Sequence, residues 1–322
     1  MLFLRIYTFL AIFFCSLSLS AQTCCTAGAP VSSFYGVQTG VKNSWAFNLG
    51  YEYKAINLLI DENTQLVNDP RTRSGQSLSA KVDYVLNEKW SFSASVPLIY
   101  QSRKTVSASE QSLGIGDLLL VSQYQLFNKN DFSFRLSGGL KLPIGKQGHQ
   151  NADAIFLSPD MQSGSGSVDW IAQVSGVKEH FILPFLTTIV EVSYRDNGIN
   201  SSFGKTPDFG GRRFGFGDQW VAMLTFNYQW ITSLGNFVPD LNLRYRNLTR
   251  NVEQTTVAPN SGGSWLSLPL GISFQPDPQK SMRIYAEFPL SQDLNGLQIT
   301  TCLLYTSPSP RDATLSRMPS SA

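Results

Sequence analysis

Few residues in this chain combine the types and spacing that catalysis requires. The two histidines are His149 and His180, and a histidine acts as a base only with a nucleophile or an orienting carboxylate within hydrogen-bond reach. In Gly148-His149-Gln150-Asn151-Ala152-Asp153, His149 and Asp153 could orient one another. A solvated loop histidine is the commoner outcome of such a run. His180 falls in a different connection, expected at the opposite end of the molecule. Of four cysteines, Cys15 lies in an apolar leader, Cys302 in a C-terminal tail, and Cys24 and Cys25 are adjacent, so no disulfide framework exists. Cys24 and Cys25 could bind a soft metal such as copper, but an unstructured remnant ahead of the first strand is the plainer reading. No other metal-ligand spacing stands out. The glycine-rich pieces Gly114-Ile115-Gly116-Asp117 and Gly210-Gly211-Arg212-Arg213-Phe214-Gly215-Phe216-Gly217 lack the Lys-Ser/Thr and the following helix of a phosphate loop. They are expected to bend strand starts. Asn247-Leu248-Thr249 matches a glycosylation triplet and carries no chemistry of its own. No cofactor follows from these residues, and no enzyme is expected.

The remaining candidates are charged side chains at alternating positions: Glu52, Lys54, Lys81, Asp83, Arg135, Lys141, Glu191, Arg195, Arg244, Arg246, Arg283 and Glu287. Two readings stay open. A lumen of mixed charge could guide a solute, or the groups could pair between strands and fill a narrow barrel.

The elements that must carry these residues are strands. Trp45, Phe47, Leu49, Tyr51 and Tyr53 alternate with Ala46, Asn48, Gly50, Glu52 and Lys54, a period of two with one apolar face. The pattern returns in Leu78, Ala80, Val82, Tyr84 and Leu86. It recurs in Trp90, Phe92, Ala94, Val96 and Leu98, after a hairpin of Asn87, Glu88 and Lys89. Further strands are predicted at 115–126, 132–142, 167–177, 185–195, 219–231, 236–247, 264–274 and 281–291. Most have the length of a tilted strand crossing a bilayer. Trp220, Ala222, Leu224, Phe226, Tyr228 and Trp230 form the clearest apolar face. Aromatics at both strand ends resemble the interfacial girdles of membrane barrels. Long connections at 56–76, 101–114, 143–166, 196–218 and 248–263 alternate with short ones, which predicts external loops, periplasmic turns and a periplasmic N-terminus.

Composition agrees. The 322 residues are 42% hydrophobic and 12% aromatic but only 15% charged, less charge than an ordinary soluble domain carries. Mean hydropathy is nevertheless near zero, as expected when apolar outward residues alternate with polar inward ones. A net charge of +2 points to no nucleic acid. Arg5, the apolar run Ile6 to Phe14 and the small residues Ser16 to Ala21 read as a signal peptide over 1–21. Residues 22–44 are then an N-terminal periplasmic segment and 45–301 the barrel.

Eleven strands are visible, whereas bacterial single-chain barrels have an even number whose ends meet. From Cys302 the alternation fails, and Pro308, Pro310 and Pro319 exclude a central strand. The expectation is an all-β, antiparallel transmembrane barrel of nominally twelve strands lacking its last. The tail, 302–322, resembles read-through of library DNA, the alternative being a genuine disordered tail.

Four pieces carry a family resemblance: Ser93-Ala94-Ser95-Val96-Pro97-Leu98, Gly114-Ile115-Gly116-Asp117-Leu118, Gly139-Leu140-Lys141-Leu142-Pro143-Ile144-Gly145 and Ser163-Gly164-Ser165-Gly166-Ser167. Their order and spacing resemble the outer-membrane barrels named for the MetA pathway of phenol degradation, over roughly Trp45 to Thr300. The Cys24-Cys25 start is similar to members from Bacteroidetes-type genomes. The resemblance implies an outer-membrane channel or transporter for a small solute, aromatic or hydrophobic in kind, and offers no catalytic residues. The partners expected are outer-membrane lipid, that solute and the barrel-assembly machinery during biogenesis. A structural or partner-binding barrel without transport is the second reading, and an outer-membrane hydrolase using His149 the third.

Overall fold

The computed structural model describes residues 42–56, 58–61, 64–66, 70–106, 108–277, 279–300 and the backbone of 303–307. The segment 1–21 expected to be a signal peptide, Cys24, Cys25, Cys302 and the tail beyond Ser307 lie outside the described residues.

The barrel strands are β1 (Ser44–Ile56), β2 (Thr72–Val85), β3 (Trp90–Lys104), β4 (Leu118–Lys129), β5 (Phe132–Leu142) and β6 (Asp169–Lys178). They continue with β7 (Leu186–Asp196), β8 (Gln219–Tyr228), β9 (Gly235–Leu248), β10 (Gly263–Asp277), β11 (Lys280–Leu294) and β12 (Leu303–Ser307). Each pairs antiparallel with its sequence neighbour. β12 then pairs with β1, Tyr51 opposite Ser307 through Ala55 opposite Leu303, so the ring closes. Closure removes the open edge that lipid would leave unsatisfied.

A short β12 stands where the last strand was expected to be lacking. Alternation does fail at Cys302, but a ladder needs only backbone N–H and C=O groups, and Pro308 is the first tail residue without an N–H. Five residues therefore stand in the twelfth position, beside the fifteen of β11.

Sidedness follows the alternation. On β1, Trp45 and Phe47 are 61% and 53% exposed, whereas Asn48 and Glu52 are 6% and 4% exposed. Outward aromatics pair near the short turns: Trp45 with Tyr84 at 4.4 Å, Trp90 with Tyr124 at 4.8 Å, and Phe237 with Phe274 at 4.6 Å between ring centroids. Tyr194 and Trp220, 4.7 Å apart, sit toward the other rim. The turns have local causes. Asn87 accepts from the backbone N–H groups of Lys89 and Trp90, both at 2.9 Å. Asn130 and Asp131 both have positive φ, +50° and +61°, as a two-residue hairpin matching the strand twist requires.

The long connections carry more β-structure than expected. Ile199–Phe203 and Arg212–Gly215 pair with each other, and the latter pairs with Val252–Glu253, over a cluster of Phe203, Phe214 and Phe216. Leu58–Asp61 pairs with both Thr64–Leu66 and Leu297–Thr300. The strand predicted at 115–126 is also interrupted. Ser109–Ile115 pairs with the upper half of β3, β4 pairs with its lower half, and Gly116 and Asp117 separate the two.

Candidate functional site: the lumen and its inward loop

The predicted lumen residues all fall on the inward alternation, and most are engaged. Two pairs lie along one strand: Lys54 with Glu52 at 2.7 Å and Lys81 with Asp83 at 3.1 Å. Residues i and i+2 share a face, so a long lysine reaches its neighbour without crossing the ladder. Asn48 donates to Asp83 from the adjacent strand at 2.8 Å.

Other pairs cross strands. Lys141 on β5 meets Asp169 on β6 at 2.7 Å, and Arg195 on β7 meets the same carboxylate at 2.7 Å and 2.9 Å. Asp169 is fully buried, and a carboxylate there needs this much compensation. On the far wall, ion pairs step over an intervening strand. Arg244 on β9 binds Glu287 on β11 at 2.5 Å and 2.6 Å, above Ser267 of β10, which donates to the same carboxylate at 2.6 Å. Arg283 on β11 binds Asp240 on β9 at 2.8 Å, above Gly271. A Cβ on Gly271 would lie 2.5 Å from Asp240 Oδ1, so only glycine leaves the pair its space. Arg246 lies over the buried Trp265 ring, 5.2 Å from its centroid. Arg135 and Glu191 also face inward; Glu191 accepts from Gln173 at 3.0 Å.

The long-loop end of the lumen is occupied by the connection between β5 and β6. Met161, Gln162 and Ser163 of this loop are almost completely buried. Gln162 clamps it: its carbonyl accepts from the His149 backbone N–H at 2.9 Å, and its amide donates to the His149 and Leu157 carbonyls at 3.1 Å and 2.9 Å. The four pieces behind the family resemblance do not all act separately, since three converge here. Asp117 accepts from Gly145 N at 3.1 Å, Ser165 N at 2.9 Å and Ser165 Oγ at 2.7 Å, and lies 3.2 Å from Lys141. Gly145 and Gly164 pack backbone to backbone, so a Cβ on either would come within 2.7 Å of the other. Gly114 leaves room for Ser163 and His149. A side-chain carboxylate thus joins segments at the break between Ile115 and Leu118.

The loop is also pinned by charge. Arg73 of β2 binds the Asp160 carboxylate and donates to the Asp160 carbonyl and to Gln101 Oε1, both at 2.6 Å. Arg103 holds Glu110 at 2.8 Å and stands 3.8 Å from Asp160. Burial by itself would raise the Asp160 carboxyl, but the charges of Arg73 and Arg103, with hydrogen bonds from Ser158 and Arg73, hold it at about 2.

These contacts correct the expected setting of His149. It is 8% exposed, and Nε2 is 2.9 Å from Ser163 Oγ. Asp153 instead turns back on Asn151 through its own backbone N–H, at 3.0 Å. Burial, with Lys146 nearby, pushes the imidazole below its ordinary value. Loop docking takes His149 out of solvent, which local sequence does not reveal. His180 does lie in a short turn, where its ligand atoms and those of Asp131 and Glu179 come within 4.8 Å of one another. All three are exposed, and His180 Nδ1 already accepts from Phe185 N at 3.3 Å.

Sequence reasoning missed Arg73, Arg103, Asp117, Asp160, Asp169 and Asp240 as lumen residues. Asp169 and Asp240 could have been found by extending the inward alternation. Arg73 and Asp160 carry no local signal, because a loop residue reveals its strand partner only once the loop folds inward.

No protein-family model matches the sequence, and no curated protein matches it. Among solved structures, the fold is similar to the COG4313 outer membrane channel from Pseudomonas putida F1, at 13% identity and a TM-score of 0.64, covering 87% of this chain and 100% of that one. The beta domain of the Bordetella autotransporter BrkA aligns at 9% identity and a TM-score of 0.47, covering 82% and 98%. A TM-score below 0.5 adds nothing to the assignment. At these identities the likeness to the first of these establishes the fold alone: a closed antiparallel β-barrel of the kind seen in that outer membrane channel.

Proposed function

We propose that this chain is an outer-membrane channel passing small solutes through a narrow polar lumen, and that it belongs with the barrels named for the MetA pathway of phenol degradation. One observation carries the reading: a loop folded into the lumen and pinned on wall arginines. A barrel serving only as an anchor or a display platform has no need to shape its interior this way. The Pseudomonas putida protein of similar fold is itself named an outer membrane channel. In this reading residues 1–21 direct export, the barrel-assembly machinery inserts the chain, and the long loops face outward.

The lining favours polar solutes. Serines, glutamines and paired charges dominate the inward positions, for example Ser77, Ser79, Ser91, Ser93, Gln123 and Gln173. The aromatic or hydrophobic solute implied by the resemblance would meet apolar side chains at only scattered inward positions such as Val121, Ile171 and Val177. Proteoliposome swelling tests this. Swelling in small polar solutes that falls off steeply with solute size supports a narrow channel. No swelling from a correctly inserted barrel would favour a structural or partner-binding role.

A further inference from the structure

Among the described residues, Arg135 is the inward wall cation with neither an ion pair nor a side-chain hydrogen bond. Lys54, Arg73, Lys81, Arg103, Lys141, Arg195, Arg244 and Arg283 all have carboxylate partners, and Arg246 has the Trp265 ring. The Arg135 Nε is buried without a partner. Glu191 has the complementary condition. Its one hydrogen bond comes from Gln173, and no cation lies within ion-pair distance among the described residues.

The two are placed in a row. Arg135 on β5 is opposite Ser175 on β6, and Ser175 is opposite Glu191 on β7. Two strand spacings set the Cα atoms about 10 Å apart. Arg244 and Glu287 on the far wall also flank one strand, but diagonally: Ser267 is opposite Arg244, Glu287 is opposite Pro269 two residues on, and there the pair closes at 2.5 Å. At Arg135 and Glu191 it stays open, although each acts electrostatically on the other. The floor between them is small and polar. Ser137, Gln173 and Ser193 form the next inward row across the same three strands. Arg135 and Glu191 are only half-buried, unlike the fully buried Lys141 and Asp169.

An open pair of this kind selects by charge. A monoanion gains Arg135 but is opposed by Glu191, and a monocation meets the reverse. A solute carrying both charges satisfies both ends at once, replacing the water each partly buried group has lost. We infer that Arg135, Glu191 and the serine and glutamine floor between them form a binding site on the lumen wall for a small zwitterionic solute. Its carboxylate would take the guanidinium and its ammonium the Glu191 carboxylate, with Gln173 holding Glu191 in place. The transport role of this site rests on the channel reading; binding itself does not.

The test is calorimetry on the refolded full-length barrel with three probes sharing one carbon chain: 4-aminobutyrate, butyrate and butylammonium. The inference expects 4-aminobutyrate to bind at least about tenfold more tightly than either singly charged probe. Arg135→Gln and Glu191→Gln should each remove that preference in barrels that keep heat-resistant, compact migration on a gel. The charge-swapped double variant, Arg135→Glu with Glu191→Arg, should recover it with the probe reversed. Equal binding of the three probes, no binding of any, or a preference unchanged in Arg135→Gln would overturn the site. If a single variant fails to fold, the wild-type comparison still decides. Block of conductance by 4-aminobutyrate is read separately, so a silent barrel that binds the zwitterion would fault the channel reading and leave the site standing.

Discussion

Asp160 shows how one loop residue can govern the mouth of the lumen. Its carboxyl is held at about 2, against an ordinary 3.8, so the charged form is the one the folded loop prefers. That stabilisation is complete above about pH 4 and is lost as the pH falls through about 2. Asp160→Asn removes the charge that Arg73 binds on this loop and should weaken docking by about 2 kcal/mol at neutral pH. Faster trypsin cleavage after Lys146 would report it. His149 acts over a different range. Its folded value lies below the ordinary 6.5, so the neutral ring favours docking above that pH, and docking weakens as the pH falls below it. His149→Ala should cost about 1–3 kcal/mol by stranding the Ser163 hydroxyl, and should flatten the pH dependence of cleavage on the acid side of the ordinary imidazole value of 6.5. Most inward charges on the strands were legible from period-two alternation, but Asp169 and Asp240 were passed over, and Arg73 and Arg103 lie beyond the stretches where the alternation is visible. Asp160 and His149 were not legible, because loop sequence carries no period and the burial of these residues depends on a strand wall distant in the chain.

At the scale of elements, the break at Gly116 and Asp117 is where three of the family-like pieces meet. Glycine there is a matter of space. Gly145→Ala would put a Cβ 2.7 Å from Gly164 Cα, 2.8 Å from Asp117 Oδ1 and 2.9 Å from the Gly116 carbonyl carbon. Backbone on two sides cannot yield, so the loop must move. Cleavage after Lys146 should rise, while heat-resistant migration of the barrel should persist, since the twelve-strand ladder does not pass through Gly145. Asp117→Asn keeps the shape but loses the charge facing Lys141, 3.2 Å away, and a smaller rise is expected. Strand identity was legible at this scale, and the ends were less so. β2 and β3 run past the predicted strands because their upper residues are polar on both faces, which hides alternation even where pairing continues, as at Thr72 opposite Lys104.

For the whole molecule, closure depends on the short β12. It pairs with Tyr51–Ala55 of β1 and Tyr285–Glu287 of β11, a small share of the ladder a full-length strand would form. Removing residues 303–322 should therefore reduce the yield of compact, heat-resistant barrel in detergent refolding. Replacing that segment with a full-length alternating strand should raise it above the starting chain. The outer surface and the polar lining need no such test of direction, since both follow from one alternation repeated around the ring. What that alternation left open was whether inward charges pair or guide. Pairing dominates at Asp169, Glu287 and Asp240, where carboxylates are buried too deeply to stand alone, and an open pair remains at Arg135 and Glu191. The central claim is that a polar lumen, narrowed by an inward loop, still conducts. Single-channel recording of the refolded barrel in planar bilayers tests it most directly: small, discrete conductance steps that grow in Gly145→Ala are predicted, whereas a silent membrane containing heat-resistant, inserted barrel would contradict it.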